Sequence, residues 1–380
     1  MLIGVPSEIK HNEERVSLTP EAVGTLIGDG HRVVVARDAG NGSGFSNEDY
    51  ERAGAEILDS HNSVFTSADI IVKVKEILPE EYELLREGKI ILTYLHLTEG
   101  LVGAKRSLTE ALLRSKVMAF SYDTVQLEDG STPLLAPMSA IAGHMGVIMG
   151  AYFLQSHFKG KGVMLGRTAG CRPVEVVVIG GGSVGTAAAK TAVGLGANVT
   201  VLDVNMDRLR ALQELLGDRV TTLYSNERNV GECVRRADVV VNAVFFKPTV
   251  QKRHIVTREM VRQMDPGSVI VDIGCDEEGA VETCRGTKHE DPIYVVDDVI
   301  HYCVPNIPGA VPRTASYALS NAILPYVREV ANKGWVKAVE ENLPLRKGLS
   351  VANGKLVHKE AAECQDMEWY PLDKLLKEID

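Results

Sequence analysis

The chain has 380 residues, 45% of them hydrophobic, and a formal net charge of −10 that is spread along the sequence rather than gathered in a tail. That much apolar content can bury more than one core, and ordinary domain sizes predict two. Dispersed acidity argues against a phosphate-backbone footprint and against attachment to an anionic membrane surface, so neither nucleic acid nor membrane is expected as a partner.

The first residues form an apolar strand and meet Glu8 and Lys10 at once, without the basic region, apolar stretch and cleavage site of a signal peptide. A cytoplasmic location is the expectation. The longest uncharged stretch, Leu134 to Gln155, contains Ser139, His144 and several glycines, which suits a buried helix better than a membrane span. His144, among apolar residues there, reads as a satisfied interior histidine. Six cysteines show no Cys-x-x-Cys pair and no histidines at zinc spacing, so they are expected to be reduced thiols and no metal site is expected. Cys303 and His301, two apart on a strand, share a face without forming a relay.

Along the first 125 or so residues, short β-rich runs alternate with helical stretches. Strands are predicted at Leu2–Pro6, Arg32–Ala36, Ile70–Val74, Ile90–Tyr94 and Val117–Ser121, with helical spacing at Pro20–Gly28, Asn47–Ala55, Glu80–Leu85 and Thr109–Leu113. An apolar helix near Ile141–Phe153 carries the chain into a second series: Val176–Ile179, Val199–Leu202, Val220–Leu223, Val239–Ala243, Ser268–Val271 and Tyr294–Val296. The helical run Tyr317–Asn332 brings it back, and the C-terminal residues should pack on the first domain. The predicted fold class is α/β, with two open, mainly parallel, doubly wound (Rossmann-like) domains joined by long helices and an active site in the interdomain cleft. One domain is discontinuous, 1–130 plus 308–380; the other is 131–307.

The most informative run is Val176 to Gly185, Val-Val-Val-Ile-Gly-Gly-Gly-Ser-Val-Gly, followed by Val199-Thr200-Val201-Leu202-Asp203. A buried strand leads into Gly180, Gly182 and Gly185, which supply the turn, the approach to a pyrophosphate and the close helix–strand contact, with Ser183 and Val184 between them at the helix start. The carboxylate of Asp203, about 18 residues beyond the last glycine, would accept hydrogen bonds from ribose hydroxyls and repel a 2′-phosphate, which favours NAD over NADP. Residues 131–307 are therefore the expected NAD-binding domain.

Ligands of open α/β sheets sit beyond the carboxyl ends of the strands. Lys75-Glu76 follow one apolar strand, His96 another, and Asp276 a third. Lysine, histidine and aspartate offered from separate strand ends could hold a carboxylate, move a proton and orient an amine; singly, each also suits a surface salt bridge. Arg15, in the loop Lys10-His11-Asn12-Glu13-Glu14-Arg15, has a guanidinium fork matched to a carboxylate, while the loop also reads as a solvated charge run.

Several of these motifs together resemble bacterial alanine dehydrogenase, in the superfamily that includes the soluble nucleotide-binding part of transhydrogenase. They are Ile3-Gly4-Val5-Pro6-Ser7-Glu8, Glu14-Arg15-Val16, Lys73-Val74-Lys75-Glu76, Tyr94-Leu95-His96, Pro137-Met138-Ser139, Gly180–Gly185, His301-Tyr302-Cys303-Val304, Asn306 and Pro308-Gly309-Ala310-Val311-Pro312. The resemblance extends over nearly the whole chain. It implies NAD-dependent reversible oxidative deamination of L-alanine to pyruvate and ammonium, in a homohexamer. By position, Arg15 and Lys75 would bind the substrate carboxylate and carbonyl region, His96 would be the acid–base group and Asp276 a second one. Asn306 would lie at the substrate–nicotinamide junction, Ser139 and Ser225 near the cofactor phosphates and adenosine, and Asp203 on the ribose.

The chain departs from the family pattern at Ile273-Gly274-Cys275-Asp276-Glu277-Glu278-Gly279, which adds two acids beside the expected site, and at Ala243-Val244-Phe245-Phe246-Lys247-Pro248. Those departures leave room for another 2-oxo acid or for an opine-type condensation with a larger amine. A non-catalytic NAD(H)-binding module, like the soluble transhydrogenase part, is the alternative from a different class.

Overall fold

The computed structural model describes residues 1–98, 105–246, 254–275 and 279–379. They divide into two compact units, Met1–Met138 with Val311–Asp380, and Ser139–Ala310. The sequence reading drew these divisions at 130/131 and 307/308. The helix Ala136–Phe153 runs continuously through the first division, so no loop marks it.

The first unit is built on an eight-stranded sheet. In chain order its strands are β1 (Leu2–Val5), β2 (Arg32–Ala36), β3 (Glu56–Leu58), β4 (Ile70–Val72), β5 (Ile90–Thr93) and β6 (Met118–Ser121), with two more supplied from the far end of the chain. The second unit holds β7 (Glu175–Ile179), β8 (Asn198–Asp203), β9 (Val220–Tyr224), β10 (Val239–Asn242), β11 (Val269–Asp272), β12 (Ile293–Val296) and β13 (Val299–Tyr302). The chain then returns to the first sheet with β14 (Leu349–Ala352) and β15 (Lys355–Leu356).

The first sheet has the order β15-β14-β6-β5-β4-β1-β2-β3 and the second β12-β13-β11-β10-β7-β8-β9. Pairing is parallel except at one edge of each, where β14 runs antiparallel to β6 and β15, and β12 antiparallel to β13. Strands β4, β10 and β11 are buried at every residue, because helices cover both faces of a parallel sheet and leave no polar side for the strand to show. Burial of these valines and isoleucines contributes about 1.5–3 kcal/mol per side chain relative to exposure.

In each sheet the order reverses once, between β1 and β4 in the first and between β7 and β10 in the second. These are the two places where the connections diverge to opposite faces and leave a crevice at the carboxyl edge. The strands β3, β14 and β15 were not predicted, and β13 was expected only as a strand through His301 without bounds. No helix among the described residues is long and apolar enough to cross a membrane.

Candidate active site

In the first unit, Arg15, Lys75 and His96 come from the carboxyl ends of three neighbouring strands, β1, β4 and β5, around the switch point. Their loops are tied together by hydrogen bonds. The Glu8 carboxylate accepts from the backbone N–H of Val74 at 2.7 Å and of Lys75 at 3.3 Å. The Thr93 hydroxyl donates to the Lys75 carbonyl at 2.7 Å, and the Tyr94 N–H donates to the Val74 carbonyl at 3.2 Å. His96 takes a left-handed backbone conformation, φ +53°, directly after its strand, and its ring stacks on Tyr94 with centroids 5.6 Å apart and planes 11° apart. The Asp123 carboxylate accepts from the His96 N–H at 3.4 Å and from the Ser121 hydroxyl at 2.7 Å.

In the loop around Arg15, His11, Asn12 and Glu14 are exposed, but Glu13 and Arg15 are not solvated. Arg15 is 3% exposed and Glu13 is 6% exposed. Nε and Nη2 of Arg15 donate to the two Glu13 oxygens at 2.6 and 2.5 Å, and Nη1 points to the Met138 sulfur at 3.2 Å. Two parallel charge-assisted bonds fix the guanidinium plane. Burial opposes its charge, but Glu13 outweighs burial and holds the Arg15 pKa above the usual arginine value.

Lys75 is half-buried and electrostatically opposite in character. Burial, then the positive charges of Arg15 and Lys10, push its pKa down to about 8, against the weaker pull of Glu13 and Glu76. Its positive charge is under-compensated, as a receptor for an incoming carboxylate requires. Burial would raise the neighbouring Glu76, but ion pairs with Lys10 at 2.9 Å and Lys105 at 3.3 Å outweigh it and hold the carboxyl at about 2.

Two residues before Lys75 lies an ionic cluster that the sequence does not announce. Lys73, 1% exposed, pairs with Glu81 and lies 3.5 Å from Glu8, and Glu81 also meets His61 Nε2 at 3.2 Å. Burial would lower the Lys73 pKa; the two carboxylates reverse the sign and raise it. Glu8 therefore joins the cluster to the backbone of Val74 and Lys75, and so sets where the Lys75 side chain starts. The only signal in the sequence was a lysine placed directly after three apolar strand residues.

In the second unit the glycine turn follows β7 at the switch point. Gly180 has φ +97°, and a Cβ on Gly185 would lie 1.7 Å from the Gly180 carbonyl oxygen, so neither position accepts a side chain without rearrangement. A Cβ on Gly182 would meet nothing within 4 Å, so that glycine borders open space. Gly182 also caps the helix Ser183–Gly194 and offers no side-chain acceptor to its first N–H groups. Behind the turn, Gly143 lets the helix Ala136–Phe153 approach closely, since a Cβ there would lie 2.2 Å from the Val184 carbonyl oxygen.

A cavity of about 410 Å³ opens at this turn, lined by Ala140, His144, Gly181, Gly182, Ser183, Thr186, Ala187 and Lys190. His144 is exposed and not interior as expected; its Nδ1 lies 2.6 Å from the Thr191 hydroxyl. Its neighbours one turn away, Ile141 and Val147, are buried, but His144 itself borders the cavity and stays open to it. His144 and Lys190 are thus residues of this cavity that sequence reasoning missed. Lys190, seven residues after Ser183, shares its helix face.

Asp203 ends β8 and is 5% exposed. Its Oδ2 accepts from the Gly181 N–H at 2.6 Å and lies 3.6 Å from Arg208 Nη1; its Oδ1 accepts from the Asn205 N–H at 2.7 Å. The carboxylate holds the glycine turn, and each oxygen keeps a further lone pair. Ser225, after β9, donates its N–H to the Asp203 carbonyl at 3.0 Å. Asn306, with φ +60°, accepts the Gly309 N–H at its carbonyl, 2.8 Å away. Ser139, Ser225 and Asn306 are not among the residues that line the cavity. Asp276, with Glu277 and Glu278, lies outside the described residues, as does Lys247.

A doubly wound sheet with a glycine turn at its switch point, carried with a second α/β unit whose switch point presents a buried arginine and a lysine, defines an α/β protein of the dinucleotide-binding class. Models of the alanine dehydrogenase/PNT family match the chain along most of its length, the N-terminal domain over residues 4–142 and the C-terminal domain over 146–359; the chain belongs to this family. It is 49% identical over 379 residues to an alanine dehydrogenase of Methanococcus maripaludis, covering 100% of each chain. It is 47% identical over 378 residues to an alanine dehydrogenase of Geobacillus stearothermophilus, covering 99% of this chain and 100% of that one. A solved L-alanine dehydrogenase matches with a TM-score of 0.90 and 46% identity, over 96% of this chain and 99% of the other.

Proposed function

We propose that this chain catalyses the NAD-dependent, reversible oxidative deamination of L-alanine to pyruvate and ammonium. The observation that carries the reading is identity of 46–49% to alanine dehydrogenases over 99–100% of this chain and 100% of theirs. The glycine turn fits NAD: an uncapped helix start, a glycine bordering open space and a carboxylate at the end of the second strand are the features a pyrophosphate and a ribose require. Gly180, Gly182, Ser183, Val184 and Gly185 would hold the pyrophosphate, Asp203 the ribose, and Ser139 and Ser225 the phosphate and adenosine sides. When bound, NAD accepts the hydride from the substrate Cα.

Residues 1–130 with 308–380 would then carry substrate and 131–307 the cofactor. Lys75 and Arg15 bind the substrate carboxylate and carbonyl region, and Glu13 keeps the guanidinium fork in one plane. His96 acts as the acid–base group: it takes a proton from the water that adds to the oxidised substrate carbon and returns one to the departing amine. Asp276 serves as a second acid–base group that positions ammonia, and Asn306 sits at the junction of substrate and nicotinamide. Holding Cα and carboxylate in one orientation supplies much of the rate. The protein acts in the cytoplasm as a homo-oligomer, a hexamer by family resemblance.

The test is a panel of amino acids offered with NAD at saturating concentration and alkaline pH. L-Alanine should yield NADH, pyruvate and ammonium in equal amounts. NADH binding without turnover of any amino acid would overturn the reading in favour of a nucleotide-binding module. Oxidation of NADH with pyruvate only when an amino acid replaces ammonium would overturn it in favour of a condensing dehydrogenase.

A further inference from the structure

The second unit gathers three of the six cysteines at the carboxyl ends of β11 and β13, the same sheet edge that carries the glycine turn. Parallel register sets Val271 against Tyr302, which brings Asp272 and Cys303 to adjacent strand ends. Tyr294, opposite His301 across the antiparallel pair, clamps the segment around Cys284: its hydroxyl donates to the Thr283 carbonyl at 3.0 Å and accepts from the Arg285 N–H at 2.7 Å. The same hydroxyl lies 3.6 Å from the Cys303 sulfur, and the Thr283 hydroxyl is 2.7 Å from His301 Nε2. The Tyr294 hydroxyl thereby ties the segment around Cys284 to the Cys303 sulfur.

We propose that Cys275, Cys284 and Cys303 form a peroxide-sensitive thiol–disulfide site in which Cys303 is the common partner. The three sulfurs differ as such a site requires. Cys303 is fully buried, whereas Cys275 and Cys284 are half-buried and within reach of a small oxidant. Hydrogen bonds from Cys275 and Cys284 hold the Cys303 thiol below its usual pKa despite burial, so it is the nucleophile; burial pushes Cys284 up. Asp272, 1% exposed and raised to about 7 by burial, lies beside Cys284 as a nearby proton source.

The oxidant is hydrogen peroxide. Its O–O bond breaks as the sulfur of Cys275 is oxidised to a sulfenic acid, and one oxygen leaves as water. The Cys303 thiolate then attacks that sulfur; the S–S bond forms, the S–O bond breaks, and hydroxide leaves and is protonated to a second water. Two thiols and one peroxide give one disulfide and two waters.

The experiment treats full-length Cys171→Ser protein with hydrogen peroxide, removes the oxidant, denatures and alkylates the remaining thiols; the substitution takes the exposed cysteine out of the count. Two thiols should be lost and recovered with dithiothreitol, and tryptic peptide Gln263–Arg285 should be linked to His289–Arg313. Adding Cys303→Ser should abolish the link. Should that variant not fold, the Cys275→Ser/Cys284→Ser pair, which alters only half-buried positions, must abolish it as well. Full retention of thiols after peroxide, or a link that persists in these variants, would overturn the proposal.

Discussion

Lys75→Met should stabilise the folded protein while abolishing turnover. Burial and the charges of Arg15 and Lys10 lower the Lys75 pKa from 10.5 to about 8, a cost to the charged form of at most about 3.5 kcal/mol at roughly 1.4 kcal/mol per unit. Solvent reaches this half-buried side chain, and screening reduces the cost to about 1–2 kcal/mol. Methionine keeps the apolar stem and removes the charge. The direction with pH follows from proton counting. The folded pKa lies below the unfolded one, so between about pH 8 and 10.5 the unfolded chain binds more protons and wild-type stability rises with pH. The penalty is therefore complete below about pH 8 and gone above about pH 10.5, and the advantage of the variant should vanish over the same window. Denaturant unfolding of both proteins at about pH 7 and pH 10.5, with turnover measured alongside, tests this. A variant less stable than wild type at neutral pH, or an advantage unchanged at high pH, would refute the reasoning.

His96→Ala should lower kcat by about 10²–10⁴-fold, with NADH binding by fluorescence unchanged, because the histidine is assigned to proton transfer and not to the cofactor; near-normal turnover would remove it from that role. Gly185→Ala should abolish NADH binding, since its Cβ would lie 1.7 Å from the Gly180 carbonyl oxygen and the turn must open to admit it; binding within a few-fold of wild type would show that the turn is not the pyrophosphate site. Asp203→Asn should lower stability by about 1–3 kcal/mol, through the weakened Gly181 and Asn205 bonds, and should lower the preference for NAD over NADP. Paired unfolding and cofactor-ratio measurements separate the two effects. Lys73→Met should cost about 3–5 kcal/mol, because Glu8 and Glu81 would be left buried without their cation; an unfolding free energy within about 1 kcal/mol of wild type would contradict that.

The features legible in the sequence were those that local pattern determines. The helix Pro20–Gly28 and the strand Arg32–Ala36 have the expected bounds, and strand, glycine turn, helix and Asp203 follow in the expected order. Lys75 and His96 were placed at strand ends because an apolar run stops there. What depends on contacts distant in sequence was not legible. Arg15 looked solvated because nothing in a polar loop reveals that Glu13 pairs with it out of water. The buried pairing of Lys73 could not be read because its partners Glu8 and Glu81 come from two other segments. The bounds of β13 were hidden by His301 and Tyr302, polar residues buried through Thr283 and through the core. The strands β14 and β15 lie far from β6 in sequence, and only pairing across the sheet edge makes them strands.

The central claim is that this chain moves the hydride of an amino acid Cα to NAD. L-Alanine deuterated at C2, incubated with the protein and NAD, should transfer one deuterium to each reduced cofactor, with one pyruvate and one ammonium released. Reduced cofactor without deuterium, or no reduced cofactor at all from alanine, would contradict the claim.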